Sequence, residues 1–397
     1  MLLRRHFWRY ATFDEIAELY VSRMLRMAAL YLVNTFVSIY LYQLGYSLTA
    51  IAFVWCGFYA FKVLAVLPLT RIIALIGPKH AILVSNLIYI PAMIMFANVN
   101  GTSLGLLIPA LLLQALSVSM YSVAYSIDFS KVKSIHHAGK EIAYMNIFEK
   151  TTTGLSPVLG GFIAYAFGPH VVILFAAVLF AFAAMPLLRT GEPVRRHQHL
   201  VFRDFPWKLL LQHSAAQFSY GFDVFVSGTA WTLFVAVFII GVTSNNSVYA
   251  TTGMLVSVVF VVAIFASYTY GKIIDRNKGR ELMRAATIMN ALTHVVRPFI
   301  QTTIPVAGLN ATNELATTGY ALPYTRAVFD NADLSGVRVT YLGVIEVISN
   351  AGAACAAALL GFLLIFIEQK LAFQGFFFIG AAVSLLILTA RFPLYKK

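Results

Sequence analysis

The sequence predicts an all-α integral membrane protein: twelve transmembrane helices arranged as two pseudosymmetric six-helix bundles. Three observations carry this. The chain has 397 residues, 60% hydrophobic and only 11% charged, whereas soluble domains average roughly 25% charged. Its apolar residues gather into twelve runs, each long enough to cross a core of about 30 Å at about 1.5 Å per residue. Its basic residues crowd the loops of one membrane face.

At the N-terminus, Arg4, Arg5 and Arg9 are followed by Asp14, Glu15 and Glu18 before any long apolar core. That order does not suit a cleavable signal peptide, so the first helix is expected to direct insertion itself. Thr12-Phe13-Asp14-Glu15 reads as a capping box. Phe13, Ile16 and Tyr20 share one face, which predicts a short interfacial helix over residues 12–26 running into the first span. The predicted spans are 27–44, 49–67, 81–97, 104–125, 142–167 and 171–188 in the first set. The second set is 222–240, 248–270, 282–300, 306–324, 339–367 and 371–388.

Arg71 and Lys79, then Lys131, Lys133 and Lys140, then Arg276, Lys278, Arg280 and Arg284, then Arg326 and Arg338 occupy alternate loops. The opposite loops hold only Lys370, and the termini side with the basic set through Arg4, Arg5, Arg9, Lys396 and Lys397. This asymmetry places both termini in the cytoplasm and requires an even number of spans. The longest polar interval, 189–208, lies at the midpoint and carries Arg189, Arg195, Arg196, His197, His199 and Arg203. It divides the chain into a first bundle (1–190), a cytoplasmic linker (191–207) and a second bundle (208–397). Ala143–Glu149 lines up with Thr340–Glu346, 197 residues later, and Leu44-Gly45 with Ile240-Gly241. That repeat suggests a duplicated six-helix unit.

The net charge of +13 raises nucleic acid as a partner. Its confinement to short loops points to anionic lipid instead, with no nucleic acid expected. Cys56 and Cys355 lie inside apolar runs and read as small buried side chains rather than a disulfide or metal site. No phosphate-binding glycine loop, metal-ligand spacing or loop-borne Ser–His set is present, so neither an enzyme nor a cofactor is expected.

The most informative stretch is the short charged loop between spans eight and nine. Gly271, Asp275, Arg276, Gly279 and Arg280 form G-x-x-x-D-R-x-x-G-R. Glycine permits close helix approach. Asp275 suits the free N–H groups that open a helix. Arg276 and Arg280 suit an acidic partner across a seam or lipid headgroups. The pattern resembles the loop signature of the major facilitator superfamily, with one residue more than the usual G-x-x-x-D-R-x-G-R. In that superfamily such a loop latches one conformation of the carrier; a plain positive-inside loop is the other reading. The first-half counterpart, residues 70–79, keeps Gly77 and Lys79 but has Ala74 and Leu75 in place of the acid–base pair. In the fifth span, Gly154, Pro157, Gly160 and Gly161 resemble the end of a superfamily antiporter signature, with Ser156 where a glycine is usual. The resemblance implies two bundles around a central cavity lined by the first, fourth, seventh and tenth spans.

Polar stripes occur on those spans. They are Asn34 and Ser38 on the first, Gln114, Ser117 and Tyr121 on the fourth, Ser219, Asp223 and Ser227 on the seventh, and Asn310 and Glu314 with Thr317 or Thr318 on the tenth. Polar stripes in apolar helices face protein or water, so they line a cavity or bond between helices. Glu314 lies about eight residues, roughly 12 Å, from the outer end of its span. A carboxylate at that depth costs about 2.5 kcal/mol or more. It is expected to carry a coupling proton, to meet the substrate or to form a structural ion pair. Asp223 aligns near Met27 and suits an inner-gate or substrate contact. Arg297, one turn from His294, is expected to snorkel to the outer face and Lys62 to the inner face. Glu149 and Glu346 read as gate or loop anchors, with Lys150 and Arg338 as partners.

These readings converge on a monomeric secondary carrier in an inner or plasma membrane. It moves a small organic solute by alternating access, with a proton-coupled exporter preferred. An uptake symporter or uniporter, or a carrier-like sensor or scaffold, are the alternatives.

Overall fold

The computed structural model describes residues 13–132, 138–188, 199–242 and 246–395. Among them, nine helices are long and apolar enough to cross a membrane. They are Glu18–Gln43, Leu48–Ile76, Pro78–Ala97, Leu104–Asp128, Pro169–Leu188, Ser214–Ile240, Ser247–Asp275, Arg338–Phe366 and Gln369–Thr389. Three further, more polar helices, Ala138–Phe167, Gly279–Val296 and Thr303–Leu334, lie where spans five, nine and ten are expected and keep those labels below. Their polar residues include Glu149 and Lys150, Glu281 and Arg284, and Asn313 and Glu314.

Local signals explain several turns. Gly77 (φ 93°) and Gly168 (φ 88°) end spans two and five in a region that disfavours other residues. Each is followed by a proline, Pro78 or Pro169, at the first turn of the next helix. Glu368 caps the twelfth span, its carboxylate accepting from the N–H groups of Lys370 (3.1 Å) and Leu371 (3.0 Å). The N–H groups of Leu371 and Lys370 also hold its pKa below the usual carboxylate value.

The two halves repeat one packing scheme. Span one packs on five and six, three on four and six, and two on four; seven packs on eleven and twelve, nine on ten and twelve, and eight on ten. Contacts between halves run chiefly through spans two and eleven and through five and eight. The proline–glycine motif sits on two of these seams. A Cβ at Gly160 would lie 2.5 Å from the Leu32 carbonyl oxygen of the first span, and one at Gly161 2.5 Å from the Tyr249 carbonyl oxygen of the eighth. Gly253 returns the contact, since its Cβ would lie 2.3 Å from the Pro157 carbonyl oxygen. Backbones this close admit only glycine. Gly161→Val is therefore expected to separate the halves and to destabilise the protein by about 1–3 kcal/mol, read as a lower melting temperature in detergent. An unchanged melting temperature would refute this packing role.

Several expected boundaries move. The tenth span runs to Leu334 rather than 324, and the seventh begins at Ser214 rather than 222. The interfacial helix expected over 12–26 is corrected. Phe13–Asn34 is one helix, and Ser22 and Arg26 are fully buried within the bundle because other spans supply their partners. Thr12 of the capping box, residues 191–198 of the linker, and Arg4, Arg5, Arg9, Lys133, Arg189, Arg195, Arg196, Lys396 and Lys397 lie outside the described residues. In the rest of the linker, Val201 donates to Thr340 Oγ1 (3.0 Å) at the start of span eleven, and Phe205 is buried.

The charged loop closes span eight with Asn277 in the left-handed region (φ 60°). Asn277 N–H donates to the Ile274 carbonyl and Lys278 N–H to that of Ile273. The paired bonds satisfy two of the carbonyls left free at the end of the helix. Asp275 meets Arg326 of span ten at 3.6 Å, while Arg276 and Arg280 are exposed. Gly279 lies beneath Tyr395, whose hydroxyl donates to the Pro323 carbonyl (2.8 Å).

Candidate functional site: a charged central cavity

Between the halves lies a cavity of about 830 Å³. Asn34, Gln114, Tyr121, Asp223, Asn310 and Glu314 all line it, as does Gly154 of the proline–glycine motif. Span seven passes the cavity with widened turns over Phe225–Ala230 and Val235–Ile240, a distortion common beside functional residues.

Each half builds the same corner against this cavity. In the first half, Arg26 on span one meets Asn86 on span three and Tyr121 on span four. Its Nη1 donates to Asn86 Oδ1 (2.6 Å), its Nη2 to Ser117 Oγ (3.1 Å), and its guanidinium lies 4.0 Å from the Tyr121 ring. In the second half, Asp223 on span seven meets Asn290 on span nine and Tyr320 on span ten. Asn290 Nδ2 donates to Asp223 Oδ1 (3.1 Å), and the Tyr320 hydroxyl donates to Oδ2. The two corners use corresponding helices with the charge reversed.

The second corner contains its own counter-charge. Arg297 Nη1 lies 2.8 Å from His294 Nδ1. A guanidinium only donates, so Nδ1 accepts and the ring proton sits on Nε2. That nitrogen donates to Asp223 Oδ1 at 2.6 Å. Arg297 also donates to Asn313 Oδ1 (2.9 Å) and the Val226 carbonyl (3.2 Å). Arg297 and His294 are completely buried. The expectation that Arg297 snorkels outward is thus corrected: its charge is satisfied inside the protein, which removes the drive to reach water.

Two ion pairs cross between the halves on the cavity wall. Lys150 on span five holds Glu314 on span ten at 2.8 Å, and the Thr318 hydroxyl also donates to Glu314 (2.7 Å). Lys62 on span two approaches Glu346 on span eleven at 4.0 Å and lies over the Tyr59 ring at 5.3 Å. Lys62 is therefore buried on the cavity rather than turned to the inner face. The expected partners of the repeat-related glutamates are corrected too. Glu149 pairs with Arg23, Glu346 with Lys62, and Arg338 with Asp333. Both glutamates line the cavity, where buried cations draw them inward.

Sequence reasoning missed Arg23 and Arg26 because it placed them on an interfacial helix. Arg23 is nonetheless eleven residues from Asn34, three helical turns along one face. It also missed Asn290, which forms with His294 and Arg297 an i, i+4, i+7 stripe on span nine.

A helical membrane bundle that repeats one packing scheme in two halves around a polar cavity has the architecture of a carrier. The model of the Major Facilitator Superfamily matches residues 19–289, more than half of the chain, and the protein belongs to that family. No curated protein matches it. Among solved structures it is similar to a mutant form of the nucleoside transporter NupG, with TM-score 0.68 and 14% identity over 94% of this chain and 97% of that one. It is also similar to the human organic anion transporter MFSD10 (TM-score 0.65, 13% identity, covering 94% and 100%). A third similar structure is the transporter FucP in its outward conformation (TM-score 0.65, 13% identity, covering 94% and 96%). At these identities the likeness is one of fold.

Proposed function

We propose that the protein is a secondary active carrier that moves a small organic solute through the central cavity by alternating access. Export against inward-moving protons is the preferred direction, with Glu314 as the coupling carboxylate. The protein works as a monomer in an inner or plasma membrane with both termini cytoplasmic, its basic face resting on anionic lipid. Transport, not catalysis, is its role. The observation that carries this reading is the pair of cavity-wall ion pairs, Lys150–Glu314 and Lys62–Glu346, whose partners belong to opposite halves. Rocking one half against the other breaks them, so their occupancy follows the state of the carrier. Asp275 with Arg326 joins spans eight and ten within one half. It acts as a latch by fixing the shape of the loop.

The test is a thermal-shift screen of purified protein against metabolites and drugs, followed by flux in proteoliposomes for each stabilising solute. Exchange above that of protein-free liposomes, accelerated by an imposed proton gradient, is expected. Solutes that bind and are never exchanged would overturn the carrier reading in favour of a membrane sensor.

A further inference from the structure

The cavity's charged residues pair off as Arg23 with Glu149, Lys150 with Glu314, and Lys62 with Glu346, and Asp223 reaches Arg297 through His294. Arg26 stands outside this pattern. Among the described residues its partners are neutral: Asn86, Ser85, the Ser117 hydroxyl and carbonyl, and aromatic rings. It is completely buried. A guanidinium held inside a membrane bundle without an anion is costly, and function is the usual reason to keep one.

Four donors at this corner lack partners. They are Arg26 Nε, Asn86 Nδ2, Gln114 Nε2 and the Tyr121 hydroxyl, all buried. Gln114, Ser117 and Tyr121 fall on one face of span four, and both Ser117 and Tyr121 touch Arg26. Of the four, Arg26, Gln114 and Tyr121 line the cavity. Unfilled donors around an unbalanced positive charge match one carboxylate, which offers two oxygens and one negative charge. The reversed corner shows the same logic completed: there Asp223 is met by His294 and, through it, by Arg297.

We propose that the Arg26 corner is an anion subsite of the cavity, and that the solute carries a single carboxylate that docks on Arg26, Gln114 and Tyr121. The Tyr121 ring lies against the guanidinium at 4.0 Å, so docking includes a rotation of that side chain. Trp55, Phe58, Tyr59 and Trp231 line the same cavity and supply an aromatic surface for the solute's apolar body. This inference rests on the reading that the cavity is the solute site. Its test uses binding alone, so a failure of transport and a failure of the subsite are told apart.

The experiment measures binding of the full-length protein in detergent to a panel of aliphatic and aromatic monocarboxylates, including 3-phenylpropionate. Each acid is compared with its uncharged amide. The best acid is expected to bind about 10- to 100-fold more tightly than its amide, as for a hydrogen bond to a charged group. Arg26→Gln is expected to erase that preference. Tyr121→Phe and Gln114→Leu, which keep the guanidinium and its neutral partners, are each expected to weaken acid binding by roughly 5-fold. They carry the test if Arg26→Gln fails to fold. A panel in which no acid exceeds its amide would overturn the proposal, as would a preference that survives Arg26→Gln or both milder variants.

Discussion

Asp223→Asn is expected to lower the melting temperature by roughly 10 °C and to abolish flux. The asparagine preserves shape and still accepts from His294. What it removes is the negative charge balancing Arg297, a residue with no exposed surface. Taking one partner from a buried pair costs about 3–5 kcal/mol, because the remaining charge is stranded. In a membrane bundle it has no short route to water. Removing both charges with Asp223→Asn and Arg297→Met together is expected to restore most of the melting temperature, since the corner is then neutral and filled. Flux is expected to stay lost. Thermal unfolding of the three variants in one detergent measures this. Additive losses in the double variant would show that Asp223 and Arg297 are not coupled and that the relay through His294 has been misread.

Much of this arrangement is legible in the sequence. The polar residues of spans one, four, seven and ten were readable because each sits in an apolar run, and Asn34, Gln114, Tyr121, Asp223, Asn310 and Glu314 do share one cavity. The helix-packing motif was legible for a similar reason, because Gly160 and Gly161 mark close approaches through the absence of a side chain. Partners were another matter. A charge near the end of an apolar run, such as Arg297 or Lys62, reads as a snorkelling group. Each is instead held by residues from other helices, Arg297 by Asn313 and the Val226 carbonyl, and Lys62 by Glu346. Asp275 shows the same limit. Its sequence neighbours Arg276 and Arg280 are exposed, and the cation beside it, Arg326, is 51 positions away. Local pattern identifies which residues avoid lipid. It does not specify which of several like-charged residues the tertiary fold brings within reach.

On the proposed proton coupling, Glu314→Gln is expected to uncouple the carrier from protons by loosening its two halves. In the native protein Glu314 faces Lys150 across the cavity, with Thr318 donating to it and Glu149 beside Lys150 in the chain. A hydrogen bond to a charged group is worth about 2 kcal/mol, so losing this one shifts the balance between joined and separated halves by roughly 30-fold. On the proposed coupling, protonating the native carboxylate has the same effect. The measurement places a reporter by Asn34→Cys on the cavity wall, in a background lacking Cys56 and Cys355, and follows alkylation against pH. Without Glu314→Gln, labelling relative to a free thiol at the same pH, which removes the pH dependence of the thiolate itself, is expected to change as the pH falls. With Glu314→Gln, labelling is expected to sit at the low-pH level throughout. Exchanging the partners, Lys150→Glu with Glu314→Lys, restores the ion pair and is expected to restore the high-pH labelling level. If Glu314→Gln leaves the pH dependence of labelling intact, the coupling proton is carried elsewhere and the Lys150–Glu314 pair serves only to hold spans five and ten together.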